Sequence, residues 1–187
     1  RGIEDVYITQ GELNIKVEAL EGNIKKLTTE VIDGALSIYE EKKSDLKNVK
    51  VYVSTPNLTH VKISGAGNLI SKDTLHFENF SINVTGAGDV DLKGDAQKLD
   101  VSIAGSGDVQ MTGRAGYVDV SIAGSGDVDL HKLTAGKCSV SIAGSGNCKV
   151  NSNGNLEVSI VGSGDVYYKG NAKVNSSIMG SGNVRKM

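Results

Sequence analysis

An acidic or amide side chain follows each of seven Gly-x-Gly turns, which recur every 18–21 residues through the last two-thirds of the chain. Carboxylate and carbonyl oxygens gathered at turns are the ligands that Ca²⁺ prefers. The same side chains also accept hydrogen bonds from nearby backbone N–H groups and stabilise turns without an ion. Because three of the seven are uncharged Asn, the sequence favours the turn role and predicts no metal site. These residues, which we call the Asx ladder, are Asn68, Asp89, Asp108, Asp127, Asn147, Asp165 and Asn183.

A row of serines recurs three residues before the first glycine in the last five repeats, after Lys62 and Asn83 in the first two. An outward row of hydroxyls could bind a glycan or a protein partner, although Ser also suits a solvent-facing strand position where it bonds to its neighbour. No repeated aromatic side chain accompanies the row, so a sugar-stacking surface is not evident. The sequence marks it as a candidate surface with both interpretations open. The serine row comprises Ser102, Ser121, Ser141, Ser159 and Ser177.

Other reactive residue types form no recognisable site. His60, His76 and His131 share no spacing, and Gly-Ser-Gly has the wrong register for a nucleophile elbow. The Gly-x-Gly pairs lack the third glycine and the helix of a dinucleotide loop. We therefore predict no catalytic residue and no cofactor. Cys138 and Cys148 fall at apolar positions of one repeat, which favours two buried thiols over the alternative of a disulfide.

Strands must position these residues, because apolar side chains alternate with polar ones on both sides of each turn. Aligned on the first glycine, the apolar columns lie six, four and two residues before it and four residues after it. A fixed period of this size is typical of a solenoid whose units bury their apolar faces by stacking. We predict an all-β fold, a single-stranded parallel β-helix, right-handed by the general preference for such crossovers. An antiparallel meander is the alternative, since Gly-Ser-Gly is also a hairpin signal.

The chain is predicted to form one domain over residues 1–187. Residues 1–58 would make irregular first coils and a cap, and residues 59–187 the seven repeats. Within the cap, residues 40–45 read as a charged loop, and residues 22–32 favour a strand over a turn of helix. Strands are predicted at Val6–Thr9, Leu13–Val17, Ala35–Tyr39 and Val49–Val53.

Charge and hydropathy exclude several functions. The 20 basic and 22 acidic residues give a net charge of -2 without any Lys/Arg stripe, which argues against nucleic-acid binding. No apolar run approaches the ~18 residues of a membrane span. The sequence begins at Arg1 without a methionine, so we expect any signal peptide to be missing from it.

Segments across nearly the whole chain resemble the head GIN domain family, auto-transporter adhesins found largely in Bacteroidetes. The resemblance rests on Ile8–Gly11, Gly34–Ile38, Val61–Gly67, the repeated Val-Ser-Ile-Ala-Gly-Ser-Gly-Asp-Val phrase and Tyr167–Gly170. It implies a right-handed parallel β-helix that is exported to the cell envelope, often behind a signal or lipoprotein peptide. Where the family often has proline after the closing Tyr-x-Gly, this chain has Ala172.

Together, pattern and resemblance predict a non-enzymatic β-helix at the cell surface, an adhesin or scaffold that presents a rigid polar face. Its partner would be a protein or a glycan held by many weak contacts. The alternative is a polysaccharide-binding or polysaccharide-degrading β-helix with a carboxylate pair on one face. A third interpretation is a structural stalk or oligomer module.

Overall fold

The alternating residues form strands that pair in parallel from one repeat to the next. The computed structural model describes residues 5–20, 22, 24–40 and 49–187. One 3-10 turn, Ile24–Lys26, interrupts the strands near the start of the chain. The strands are β1 Asp5–Gln10, β2 Asn14–Glu18, β3 Leu27–Ile32, β4 Ala35–Glu40, β5 Lys50–Thr55, β6 His60–Gly65, β7 Asn68–Ser71, β8 Leu75–Gly86, β9 Val90–Gly105, β10 Val109–Gly124, β11 Val128–Gly144, β12 Cys148–Ser152, β13 Asn155–Gly162, β14 Val166–Lys169, β15 Lys173–Gly180 and β16 Val184–Lys186.

The repeats form a parallel β-solenoid of about seven turns with about 19 residues per turn. Strands β9 and β10 pair along their full lengths, so that Ile103, Ile122 and Ile142 stack in three successive coils. In the described part of the chain, antiparallel pairing occurs only between β2 and β5 and between β3 and β4. The predicted parallel β-helix is therefore confirmed and the antiparallel meander is excluded; the right hand of the coil stays a prediction.

The core consists of several columns of apolar side chains stacked along the solenoid axis. In the middle coils the predicted inward positions are almost fully shielded, and Leu99, Val120 and Ile142 are each exposed by 1% or less. At the ends the shielding weakens, since Thr59 is exposed at the start of the first repeat and Ser176 is exposed in the last coil. Each inner coil is thus stabilised by the coils on both sides of it.

Glycine is required at the turns because successive coils stack backbone on backbone there. Gly124 has a φ of 137°, a conformation that side chains disfavour, and a methyl group on it would lie 2.2 Å from the carbonyl oxygen of Gly105. Gly126 lacks the positive φ, but its methyl group would lie 2.2 Å from the carbonyl oxygen of Gly107. The Gly-x-Gly phrase is therefore explained by stacking.

The N-terminal cap extends one side of the solenoid out of chain order. β1 lies between β7 and β5 and pairs in parallel with both, and β2 then pairs antiparallel with β5. β3 and β4 form a separate hairpin that turns at Asp33 and Gly34. All four strands predicted in the cap are present. The predicted helix-or-strand segment contains both a 3-10 turn and β3, and all of the predicted charged loop except Glu40 lies outside the described residues.

The side chain of Gln10 takes the place of a backbone strand next to β8. Its Oε1 accepts a hydrogen bond from the backbone N–H of His76 at 2.9 Å, and its Nε2 donates to the His76 carbonyl at 3.2 Å. Nε2 also donates to the carbonyl of Pro56 at 3.0 Å. The Gln10 amide thus satisfies the backbone of β8 at His76, on the edge where no described strand of an earlier coil lies beside it.

Candidate functional site

From Asp89 to Asn183, the Asx ladder forms a continuous chain of hydrogen bonds along one corner of the solenoid. The Oδ1 atom of Asp89 accepts from the backbone N–H of Asp108 at 2.9 Å, and Oδ1 of Asp108 accepts from Asp127 at 2.8 Å. The pattern continues through Asn147 and Asp165 to the N–H of Asn183. The five side chains from Asp89 to Asp165 therefore each satisfy a peptide N–H of the next coil instead of one in their own turn.

Backbone groups complete this corner. The N–H of the residue after each ladder member donates to the carbonyl of the ladder member in the next coil, as Val109 does to Asp127 at 2.9 Å. Asn at a ladder position adds a second contact: Asn147 Nδ2 donates to Asp127 Oδ1 at 3.1 Å. Mixing Asn with Asp thus replaces a repulsive carboxylate pair with a donor and an acceptor.

Asp5 belongs to the ladder, although the sequence did not indicate it. It lies in register with Asn68, whose Nδ2 donates to Asp5 Oδ1 at 3.2 Å. The repeat pattern could not reveal this member, because Asp5 opens β1 and follows no Gly-x-Gly turn. Only the placement of β1 beside β7 puts it there.

The ladder carboxylates are held by donors. The pKa of Asp165 is lowered mainly by the hydrogen bond from Asn183 and further by the Tyr167 hydroxyl, which donates to Asp165 Oδ2 at 3.0 Å. Among the described residues, no group of three or more His, Cys, Asp or Glu side chains is placed to hold a metal ion. The hydrogen bonds of the ladder join the turns of successive coils.

The serine row is straight and faces solvent. Its five members pair in register across successive coils, from Ser102 on β9 to Ser177 on β15, and all five side chains are exposed. In the part of the chain described by the structure, no hydrogen bond joins one of these hydroxyls to the next. Two residues after the serines, the neighbouring outward row consists of Ala104, Ala123 and Ala143 in the middle coils. Their short side chains leave the serine hydroxyls accessible. We call these two rows the serine face.

A bulge breaks the repeat on β11. The register of β11 shifts against β10 after Asp129, and shifts again against β12 at the same place. Asp129 Oδ1 accepts hydrogen bonds from the ring Nδ1 and the backbone N–H of His131, and Lys149 Nζ lies 3.6 Å from Asp129 Oδ2. Burial opposes ionisation of Asp129, but the bonds from His131 hold its pKa below the usual value. The cluster is a charged surface contact that the sequence did not predict.

The two cysteines are buried free thiols, as predicted. Burial raises the pKa of Cys138 to about 11, against a smaller opposing effect of the hydrogen bond with Ser152. Burial raises the pKa of Cys148 as well. Both thiols are therefore neutral and fill apolar columns in place of Val or Leu.

The sequence of residues 1–172 matches the family described as "putative auto-transporter adhesin, head GIN domain". The chain belongs to this family. No functionally curated protein matches it. The matched residues include the cap, the serine row as far as Ser159 and most of the Asx ladder.

Solved structures share the fold of this GIN domain. An adhesin of Bacteroides fragilis superposes with a TM-score of 0.94 at 24% identity, covering 99% of this chain and 88% of that one. An adhesin of Parabacteroides distasonis gives a TM-score of 0.81 at 25% identity, with coverage of 100% and 90%. A third structure, described as a "putative lipid binding protein" from P. distasonis, gives a TM-score of 0.79 at 24% identity, with coverage of 100% and 89%. At these identities the likeness establishes the solenoid.

Within the described ranges, no helix combines the length and the apolar character that crossing a bilayer requires.

Proposed function

We propose that this GIN domain is a non-enzymatic binding scaffold, exported to the cell surface, where its serine face contacts a glycan or protein partner. The observation that carries the proposal is the in-register row of solvent-facing hydroxyls over five successive coils. The adhesin description of the family supports the location.

Rigid spacing is the proposed source of binding strength. Stacked strands place equivalent hydroxyls about 4.8 Å apart, and backbone hydrogen bonds to neighbouring coils fix them before a partner arrives. A preorganised surface loses little conformational entropy on binding. Each hydroxyl contact is weak, but an extended partner that spans several coils gains avidity. A polymer with its own repeated hydroxyl or amide groups fits such a face.

Catalysis finds little support in the electrostatics. A glycosidase needs a carboxylic acid whose pKa is raised so that it stays protonated near neutral pH. Hydrogen-bond donors instead lower the pKa of each carboxyl group in the described chain whose pKa departs from its usual value, and at Asp129 they outweigh the opposing effect of burial. These groups are Glu18, Asp95, Asp129 and Asp165.

A glycan array of bacterial and host polysaccharides, read with the intact domain, tests this proposal. The double variant Ser121→Gln/Ser141→Gln puts longer side chains in the middle of the serine face and should weaken binding at least about tenfold. The matched control Lys93→Gln/Thr112→Gln makes two changes at outward positions of β9 and β10 away from the serine face. Equal loss in both variants, or no loss in either, would contradict the assignment of the face.

A further inference from the structure

The last coil formed by residues 1–187 has strand edges that no other described strand pairs with. β15 pairs with β13 on one side and β16 pairs with β14 on one side, and no other described strand pairs with either. At the opposite end, β1, β5 and β2 extend the sheet past β7, and Gln10 occupies the neighbouring edge. The two ends therefore differ, although β6 at the opposite end also pairs with one described strand only, β8.

Apolar side chains are exposed at this open end. Ile178 occupies the same core column as Ile160 one coil earlier, yet Ile178 is 39% exposed and Ile160 is 0% exposed. On the outward side of β15, Met179 is 70% exposed, beside Val161 at 53%. An additional strand paired with β15 would shield Ile178 in the core column and contact Met179 on the outward side.

The backbone of β15 also has donors directed at the open edge. The N–H groups of Lys173 and Ser181, at the two ends of the strand, donate to carbonyls of the preceding coil. Because N–H groups alternate between the two edges of a strand, those of Val174, Ser176 and Ile178 point to the open edge.

The positive charge of residues 166–187 favours an acidic segment over a second copy of the chain as the partner of the open edge. Residues 166–187 contain four basic and no acidic side chains, whereas residues 1–165 contain 16 basic and 22 acidic ones. A second copy docked end to end would bring the same positive charges together. An acidic segment would bring complementary ones. The four basic residues are Lys169, Lys173, Arg185 and Lys186.

We propose that the open edge of β15 is a docking site for an extended acidic segment of another protein, which adds to the solenoid as a further strand. Backbone hydrogen bonds to the open edge supply the common part of the affinity. Alternate apolar side chains of the segment cover Val174 and Ile178, and acidic residues flanking them pair with Lys173 and Arg185. This strand-docking site adjoins the serine face at Ser177 and does not depend on the function proposed for that face.

Selection of random octapeptides displayed on phage against the domain of residues 1–187 tests the site. Enriched peptides should alternate apolar residues and carry acidic ones, and raising NaCl from low to molar concentration should weaken their binding about tenfold. The variant Ser176→Pro removes one outward N–H of the edge without touching the bonds to β13. This variant should retain the melting temperature of the wild type, and its affinity for the enriched peptides should fall about tenfold. The variant Ser177→Ala should keep the wild-type affinity.

Several outcomes would overturn this inference. They are the absence of any enriched acidic peptide, equal binding to Ser176→Pro, or a dimer of the unmodified domain that Ser176→Pro converts to monomer. The last result would assign the edge to a second copy. Should Ser176→Pro fail to fold, the charge reversal Lys173→Glu/Arg185→Glu takes its place, and unchanged binding of acidic peptides to that variant would equally refute the site.

Discussion

Ile122 and Ser121 are neighbours on β10 whose side chains point to opposite sides of the sheet. Ile122 is 1% exposed and stacks between Ile103 and Ile142, while Ser121 lies in the exposed serine row. Ile122→Asp buries an unpaired carboxylate, which costs more than a marginally stable domain can tolerate. We expect that variant to be unfolded in circular dichroism, and Ser121→Asp to melt within a few degrees of the wild type. Similar melting temperatures for the two would show that the faces are wrongly assigned.

The carboxyl group of Asp129 makes the stability of the fold depend on pH. Burial raises its pKa, but the hydrogen bonds from His131 outweigh that effect and leave the pKa below its usual value. A carboxyl group whose folded pKa is lowered stabilises the fold above its unfolded pKa of about 3.9, and this contribution is lost as the pH falls through the folded value.

The change Asp129→Asn should therefore lower the unfolding free energy at pH 6 and have little effect at pH 2. The measurement is urea unfolding of both proteins across that range, with Asp91→Asn as the control because Asp91 has an equivalent outward position on β9. A destabilisation that does not depend on pH would show that the carboxylate charge of Asp129 is not responsible.

Two of the turn glycines allow backbone strain to be measured apart from steric overlap between coils. Gly65 and Gly124 both have positive φ values, 116° and 137°, so alanine strains the backbone similarly at each. No atom lies within 4 Å of a methyl group on Gly65, whereas one on Gly124 meets the Gly105 carbonyl at 2.2 Å. Gly65→Ala should thus cost only the conformational strain, about 1–3 kcal/mol.

Gly124→Ala should cost about 1–3 kcal/mol more than Gly65→Ala, because it also pushes two coils apart. Chemical denaturation of both variants measures the difference. Equal losses would mean that stacked backbones can separate freely at the turn, and close stacking would then not be the reason for the Gly-x-Gly phrase.

The elements of the repeats could be predicted from the sequence because every coil restates the same pattern. Ile103, Ile122 and Ile142 share one column, so the spacing alone gives both the strand and its neighbours. The cap lacks this redundancy. Nothing in the local sequence of Asp5 or Gln10 indicates that β1 inserts between β7 and β5, because that placement depends on contacts with residues more than 40 positions away.

The candidate surfaces divide in the same way. The serine row and the Asx ladder could be predicted because they repeat with the coils. The cluster of Asp129, His131 and Lys149 could not, since it arises from a shift of register in β11 that only the pairing with neighbouring strands reveals. Similarly, the direction in which Asx side chains bond, toward the next coil, requires knowledge of the stack.

At the scale of the whole molecule, a solenoid stabilised by nearest neighbours should tolerate the loss of an entire coil. Deleting residues 106–124 joins Gly105 to Ser125 and places Ile103 directly against Ile142, the next member of its column. The shortened protein should fold, keep the β-sheet signal in circular dichroism and unfold cooperatively. Its urea m value should fall by about a seventh, in proportion to the coils removed.

The matched control deletes residues 106–114, about half a coil, so that strands before and after the cut face each other out of register. That variant should not fold, because its inward columns no longer align. If the half-coil deletion were as stable as the full-coil deletion, or if removal of the full coil abolished folding, nearest-neighbour stacking could not be the source of the domain's stability.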